Sequence, residues 1–197
     1  GAIGYDVTDK QYAYVKFGGT STINAGLLLI SPAVTANSTG LAITAVGTGG
    51  QTQANLNPGS TRIVVTNGVT AVTQDQFADG ELEVAWSGGP FSVRINGNTA
   101  AGNGGYITLE LAEPIRNTAA LVAGTDIVNL SASIYNAPTA SLTQGQPVGV
   151  TVTQVPNTAS VTYFGWVQLT GRTYMSATSA TKGQSVVQDL AGTAGFV

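Results

Sequence analysis

Apolar and polar residues alternate along most of this chain, and Gly- and Asn-rich turns break the alternation every ~8–15 residues. From Gln11 to Phe17, Tyr12, Tyr14 and Lys16 point one way, and Ala13, Val15 and Phe17 the other. Leu41 to Val46 puts Leu41, Ile43 and Ala45 on one face, and Glu81 to Trp86 sets Leu82, Val84 and Trp86 against two outward glutamates. Phe91 to Ile95, Tyr106 to Leu111, Val148 to Val152 and Val161 to Thr170 repeat the pattern. These segments are rich in Val, Ile, Thr and aromatic residues, which suit a half-buried pleated surface. Between them stand Gly18-Gly19, Gly47 to Gly50, Asn57-Pro58-Gly59, Asp79-Gly80, Gly88-Gly89-Pro90 and Gly104-Gly105, residues that tolerate the backbone angles of tight turns.

The pattern predicts an all-β fold, a β-barrel or sandwich of short antiparallel strands. Asn67-Gly68, between Ile63–Thr66 and Val69–Val72, is the strongest two-residue hairpin signal. Asn96-Gly97 is expected to end the strand that starts at Phe91. The nearest approach to a helix is Ile115 to Ala123, one or two turns stopped by Gly124. Polar stretches at Gly47–Gly59 and Asn136–Gln146 divide the chain. Residues 1–60 and 125–197 are expected to form the main domain, with a small inserted β lobe over 61–124.

Composition removes several functions. The chain has no His and no Cys, which excludes Ser-His-Asp and Cys-His catalysis, thiol redox work and Cys/His zinc sites. Charged residues make up 9% of the chain, against roughly 25% in an average domain, and the net charge is -3. Seven scattered Lys and Arg residues cannot neutralise a run of phosphates, so nucleic-acid binding is not expected. The longest strongly apolar run, Leu27 to Ile30, falls far short of the ~20 residues of a membrane-spanning helix, so no membrane partner is expected either. No basic region followed by an apolar run opens the chain, so no signal peptide is expected.

Candidate chemical motifs each fail a test. Ser179-Ala-Thr-Lys182 has the spacing of an acyl-transfer dyad, but it reads as strand and turn and lacks partner motifs. Asp75, Asp79, Gly80, Glu81 and Glu83 suggest a calcium loop, yet the third and twelfth positions counted from Asp75 are Phe77 and Trp86. Gly47 to Gly50 has no Lys-Ser/Thr ending and no following helix to cradle a phosphate. Glu81/Glu83 and Glu110/Glu113 are pairs that ten acids produce by chance. No catalytic residue, cofactor or metal is therefore expected. The densest aromatic patch is Tyr163, Phe164 and Trp166, read as core or subunit interface.

The C-terminal third carries a resemblance. Gln146-Pro-Val-Gly149, Tyr163-Phe-Gly-Trp-Val-Gln168 followed by Gly171, Ala180-Thr-Lys-Gly183 and Ala191-Gly-Thr-Ala-Gly195 resemble the C-terminal half of the capsid decoration (cement) proteins of tailed double-stranded DNA phages. Gln11 to Val15, Trp86 to Gly89, Ile95 to Asn98, Tyr106 to Leu109 and Ala123 to Ala137 are similar to upstream parts of such chains, while Leu169 to Arg172 departs from them. The resemblance implies a non-enzymatic virion protein on the outer surface of the capsid. It would clamp neighbouring major capsid protein subunits and associate with itself, as a homotrimer or a dimer. The arm from Gly1 to Lys10, with Ile3, Tyr5 and Val7, is the expected capsid contact, either as a free strand donor or as an edge strand of its own sheet. Two other readings remain: a carbohydrate-binding or adhesin-type β-sandwich with Trp86 and Tyr106 as a sugar platform, and a tail or fibre structural domain.

Overall fold

The computed structural model describes residues 2–17, 22–31, 39–86, 88–138, 146–156, 161–173, 186–188 and 194–196. Among them the chain is almost wholly β, as the alternation requires. It divides into two compact units, Gly1–Ala33 with Ile134–Val197, and Val34–Ser133. The expected inserted lobe was 61–124, but 34–60 and 125–133 group with it as well. The reason is pairing: β4 (Leu41–Ala42) bonds to β9 (Ile127–Ser131), so both ends of the lobe belong to one sheet.

The first unit is built on a five-stranded antiparallel sheet. Its order is β1 (Ile3–Tyr5), β2 (Gln11–Lys16), β11 (Phe164–Gln168), β10 (Pro147–Thr151), β3 (Leu28–Ile30). One face buries Ala13, Val15, Phe17, Leu29 and Val167. Tyr163 packs on this core while its neighbour Phe164 turns outward. Gly165 lies under the Phe17 ring, where a Cβ would come within 3.1 Å of Cε2. In this unit β12 (Val186–Gln188) and β13 (Ala194–Phe196) also form an antiparallel pair.

The second unit is a six-stranded sheet in the order β4, β9, β6 (Glu81–Ala85), β7 (Phe91–Asn98), β8 (Tyr106–Leu111), β5 (Arg62–Thr66). It curls until its outer strands meet: Thr44 N–H donates to Val64 O at 3.0 Å and Ile43 bridges Val65. Leu82, Ile95, Ile107, Leu109, Val65 and Leu130 fill the interior of this nearly closed barrel. Glu81 and Glu83 point outward, as the alternation predicts. At the seam β4 stops after two residues, and the buried side chain of Gln51 stands in for the missing strand. Its Oε1 accepts from Val64 N and its Nε2 donates to Val64 O, both at 3.3 Å. The only helix among the described residues, α1 (Gln53–Leu56), follows directly and buries Leu56.

Three local expectations are corrected. Asn67-Gly68 makes no hairpin: β5 pairs with β8, and Val72 makes a lone bridge to Ala101. Asn67 is not among the positive-φ residues that a type I′ turn needs, and its buried Nδ2 instead donates to Thr70 O and Gly102 O, both at 2.8 Å. Asn96-Gly97 does not end β7, because the strand absorbs it as a bulge and continues to Asn98. Ile115 to Ala123 is not helical. Ile115 and Leu121 plug the barrel core from an irregular segment, and the Asp126 carboxylate accepts Val122 N–H at 2.7 Å to hold it.

Replacing Gln51 by Leu roughly keeps the volume but strands the Val64 N–H, while Val64 O keeps the bond from Thr44 N–H. The expected loss is about 1–3 kcal/mol of stability, read as a lower urea midpoint at unchanged m-value. An unchanged midpoint would show that the seam does not need the amide.

Candidate interaction surface

The outward face of the first unit's sheet is aromatic. Phe164 and Trp166 alternate away from the buried Val167, and Tyr14 alternates away from Ala13 and Val15. The register sets Trp166 directly opposite Tyr14 and Phe164 opposite Lys16. The Tyr14 ring stacks on Phe164 (centroids 6.0 Å apart, planes 10° apart) and meets Trp166 tilted (5.1 Å, 60°). Such pairs contribute about 0.5–1.5 kcal/mol beyond area burial and fix ring orientation. Yet Tyr14, Phe164 and Trp166 stay 39%, 55% and 41% exposed. Gly4 extends the surface toward the sheet edge: a Cβ there would come within 3.2 Å of the Trp166 ring.

The residues expected to form an arm are not a free arm. Ile3 to Tyr5 pair with β2, with Ile3 opposite Ala13 and Tyr5 opposite Gln11. Their side chains are nonetheless exposed, Tyr5 by 74% and Val7 entirely. The connecting turn is held by one carboxylate. Asp6 Oδ1 accepts Thr8 N–H and Thr8 Oγ1–H, both at 2.7 Å, and Lys10 N–H at 3.1 Å; Oδ2 accepts the Tyr12 hydroxyl at 3.2 Å. The Thr8 hydroxyl bond leads in lowering the Asp6 pKa, against an opposing desolvation. After β11, Gln168 closes the next loop by donating to Thr170 O at 2.9 Å and Arg172 O at 3.0 Å. This organises the Leu169–Arg172 turn that departs from the phage pattern.

Most acids of the rejected motifs have other partners. Asp75 Oδ1 accepts Asn98 N–H at 3.3 Å, and Asp79 takes the Arg94 guanidinium, whose hydrogen bond holds that carboxyl below its usual range against partial burial. Glu110 pairs with Arg62 at 3.5 Å and Glu113 with Arg116. Among the described residues no three acids gather as a metal site, and no helix is long and apolar enough to cross a membrane. Ser179 and Lys182 lie outside the described residues. A shallow hollow of about 180 Å³ beside β10 is lined by Leu28, Pro147, Val148, Leu169 and their neighbours, with no titratable group among them.

Trp86 and Tyr106 do not form one platform. Val84 pairs with Phe91 at one end of β7, and Leu109 with Asn98 at the other. The two rings therefore lie beyond opposite ends of that strand, roughly 20 Å apart or more at ~3.3 Å per residue. Each also covers a glycine: Trp86 lies over Gly88, and Tyr106 over Gly49.

Comparison with known protein families, with curated proteins and with solved structures finds no match.

Tyr14 is the surface residue that a reading centred on Tyr163–Trp166 leaves out. Its outward direction follows from alternation, but its partners are about 150 positions away and only the β2–β11 register brings them together.

Asp6 gives a pH test with a defined sign. Its pKa is lowered in the fold, so the support it gives the β1–β2 turn is present above the ordinary Asp value of about 3.8 and is lost as pH falls through the folded value. Asp6→Ala is expected to speed amide exchange at Tyr14, whose N–H donates to Ala2 O at 2.8 Å, when compared at pH 6. Unchanged protection at Tyr14 would remove the carboxylate from any role in holding β1.

Proposed function

We propose that this protein is a non-catalytic structural component of a phage virion, bound to the outside of the head and clamping neighbouring major capsid subunits. The observation that carries the reading is the aromatic face of Tyr14, Phe164 and Trp166. These rings are fixed by cross-strand pairing, yet they are left to solvent on a sheet whose other face is already a filled core. Oriented, pre-ordered aromatic side chains lose little entropy on docking and are the residues that anchor interfaces. The resemblance of Gln146–Gly149 and Tyr163–Gln168 to capsid decoration chains supplies the identity of the partner.

The division of labour follows from the strand. Tyr163 supports the core, whereas Phe164 and Trp166 meet the shell together with Tyr14. A net charge of -3 with few lysines suits the outer surface better than the DNA-facing wall, where phosphate repulsion would oppose it. Several copies held on one shell make later contacts effectively intramolecular, so modest pairwise affinity becomes long residence against the outward pressure of packaged DNA.

The test is abundance and occupancy. Purified particles are expected to carry hundreds of copies each, as a lattice of head sites requires, and a handful of copies or none would overturn the reading in favour of a tail part or a non-virion protein. Trp166→Ala, which leaves the core face intact, is expected to lower occupancy on purified heads at least tenfold, a loss of about 1.4 kcal/mol or more. Full occupancy by that variant would exclude the aromatic face. Glycan binding by the isolated protein, with no affinity for any head, would favour the carbohydrate reading.

A further inference from the structure

Among the described residues the β1 edge is unpaired, and the ladder defines what it can accept. Tyr14 N–H donates to Ala2 O and Asp6 N–H donates to Lys10 O. With Gly4 opposite Tyr12, the even residues of β1 therefore direct their main-chain groups into the sheet. By strand alternation, the N–H and C=O of Ile3 and Tyr5 point away from it. Among the described residues nothing bonds to them. The opposite edge of the sheet differs, because β3 buries Leu29 and Ile30. Its three-residue length is the one device against pairing that β1 has: it contains no Lys, no Pro and no bulge, and consists of Ile3, Gly4 and Tyr5.

We propose that this edge joins a second copy of the same chain, antiparallel, about a two-fold axis beside Gly4. In that register Ile3 faces Tyr5 of the second copy and Tyr5 faces its Ile3, and each pair exchanges both N–H···O bonds. The residues brought opposite one another carry no like charges: Ala2 meets Asp6, Ile3 meets Tyr5 and Gly4 meets Gly4. Glycine at the axis removes the Cβ where two strands approach most closely, and on the aromatic side it leaves room for the Trp166 ring. The exposed Ile3 and Tyr5 side chains cover each other on the opposite side. A two-fold axis perpendicular to the sheet keeps both aromatic faces on the same side. The joined sheet then presents Tyr14, Phe164 and Trp166 twice, facing one direction, which is the geometry that bivalent attachment to a surface needs. The contact is short, well under the ~1,200 Å² of a standard stable interface, so the pair forms at high concentration or on a surface that concentrates the protein.

Sedimentation of the full chain from about 20 µM to about 1 mM tests this. The mass is expected to rise from 19.9 kDa toward that of two chains. Ile3→Pro removes only an outward-facing donor and leaves the bonds to β2 in place, while Tyr5→Lys adds an edge charge. Both are expected to weaken association at least tenfold while amide protection at Tyr14 stays at the wild-type level. If the proline variant loses that protection, the lysine variant decides the matter. A single-chain mass throughout, growth to three chains, or association indifferent to Tyr5→Lys would overturn the proposal. The assay contains no phage head, so its outcome is independent of the capsid reading.

Discussion

Every N–H and C=O in a β-sheet needs a partner, and a sheet runs out of partners at its edges. The two units of this chain meet that constraint in opposite ways. The second unit curls until β4 reaches β5, and where β4 is too short Gln51 supplies both a donor and an acceptor from its side chain. Among the described residues the first unit's sheet stays open. Its β3 edge is buried, and its β1 edge is left with apolar side chains and outward main-chain groups. The closed unit satisfies its own seam, whereas among the described residues the open one leaves an edge for a partner.

The same asymmetry appears in the side chains. In the barrel most outward strand residues are polar or paired, as with Glu81, Glu83 and the Arg62–Glu110 and Arg94–Asp79 contacts, and the exposed Tyr106 and Ile127 stand apart on different strands. Exposed pairs of this kind contribute little stability, generally under about 1 kcal/mol each, but they keep a surface soluble and non-adhesive. On the open sheet the corresponding outward positions hold Tyr14, Phe164 and Trp166. An aromatic cluster ordered by its neighbours and left half-exposed costs solubility, and an interface is the physical use that offsets the cost.

Several elements were legible because they depend on near neighbours only. The alternation in Gln11–Phe17, Glu81–Trp86 and Tyr106–Leu111 places the correct residues inward, and those strands appear within a residue of their expected limits. The failures share a cause. Asn67-Gly68 has the composition of a hairpin turn, but burial of the Asn67 amide against Gly102 overrides it. Asn96-Gly97 looks like a strand end, but β8 continues to pair beyond it, so the extra residue becomes a bulge. The apolar run around Leu121 is drawn into the barrel core before it can form a helical turn. In each case a contact distant in sequence outweighs a local preference worth about 1 kcal/mol or less.

The sequence by itself determined the all-β class, which residues share a face on each strand, and the absence of His and Cys chemistry. A period of two and a residue inventory are local properties that need no partner. Tertiary structure decided which strands are neighbours. It brought Tyr14 beside Trp166 across about 150 residues, separated Trp86 from Tyr106, closed one sheet at Gln51 and folded the N-terminal residues back as an edge. Strand order and register are set by how two hydrophobic faces are jointly buried. That is a property of the whole chain, which no window along it contains.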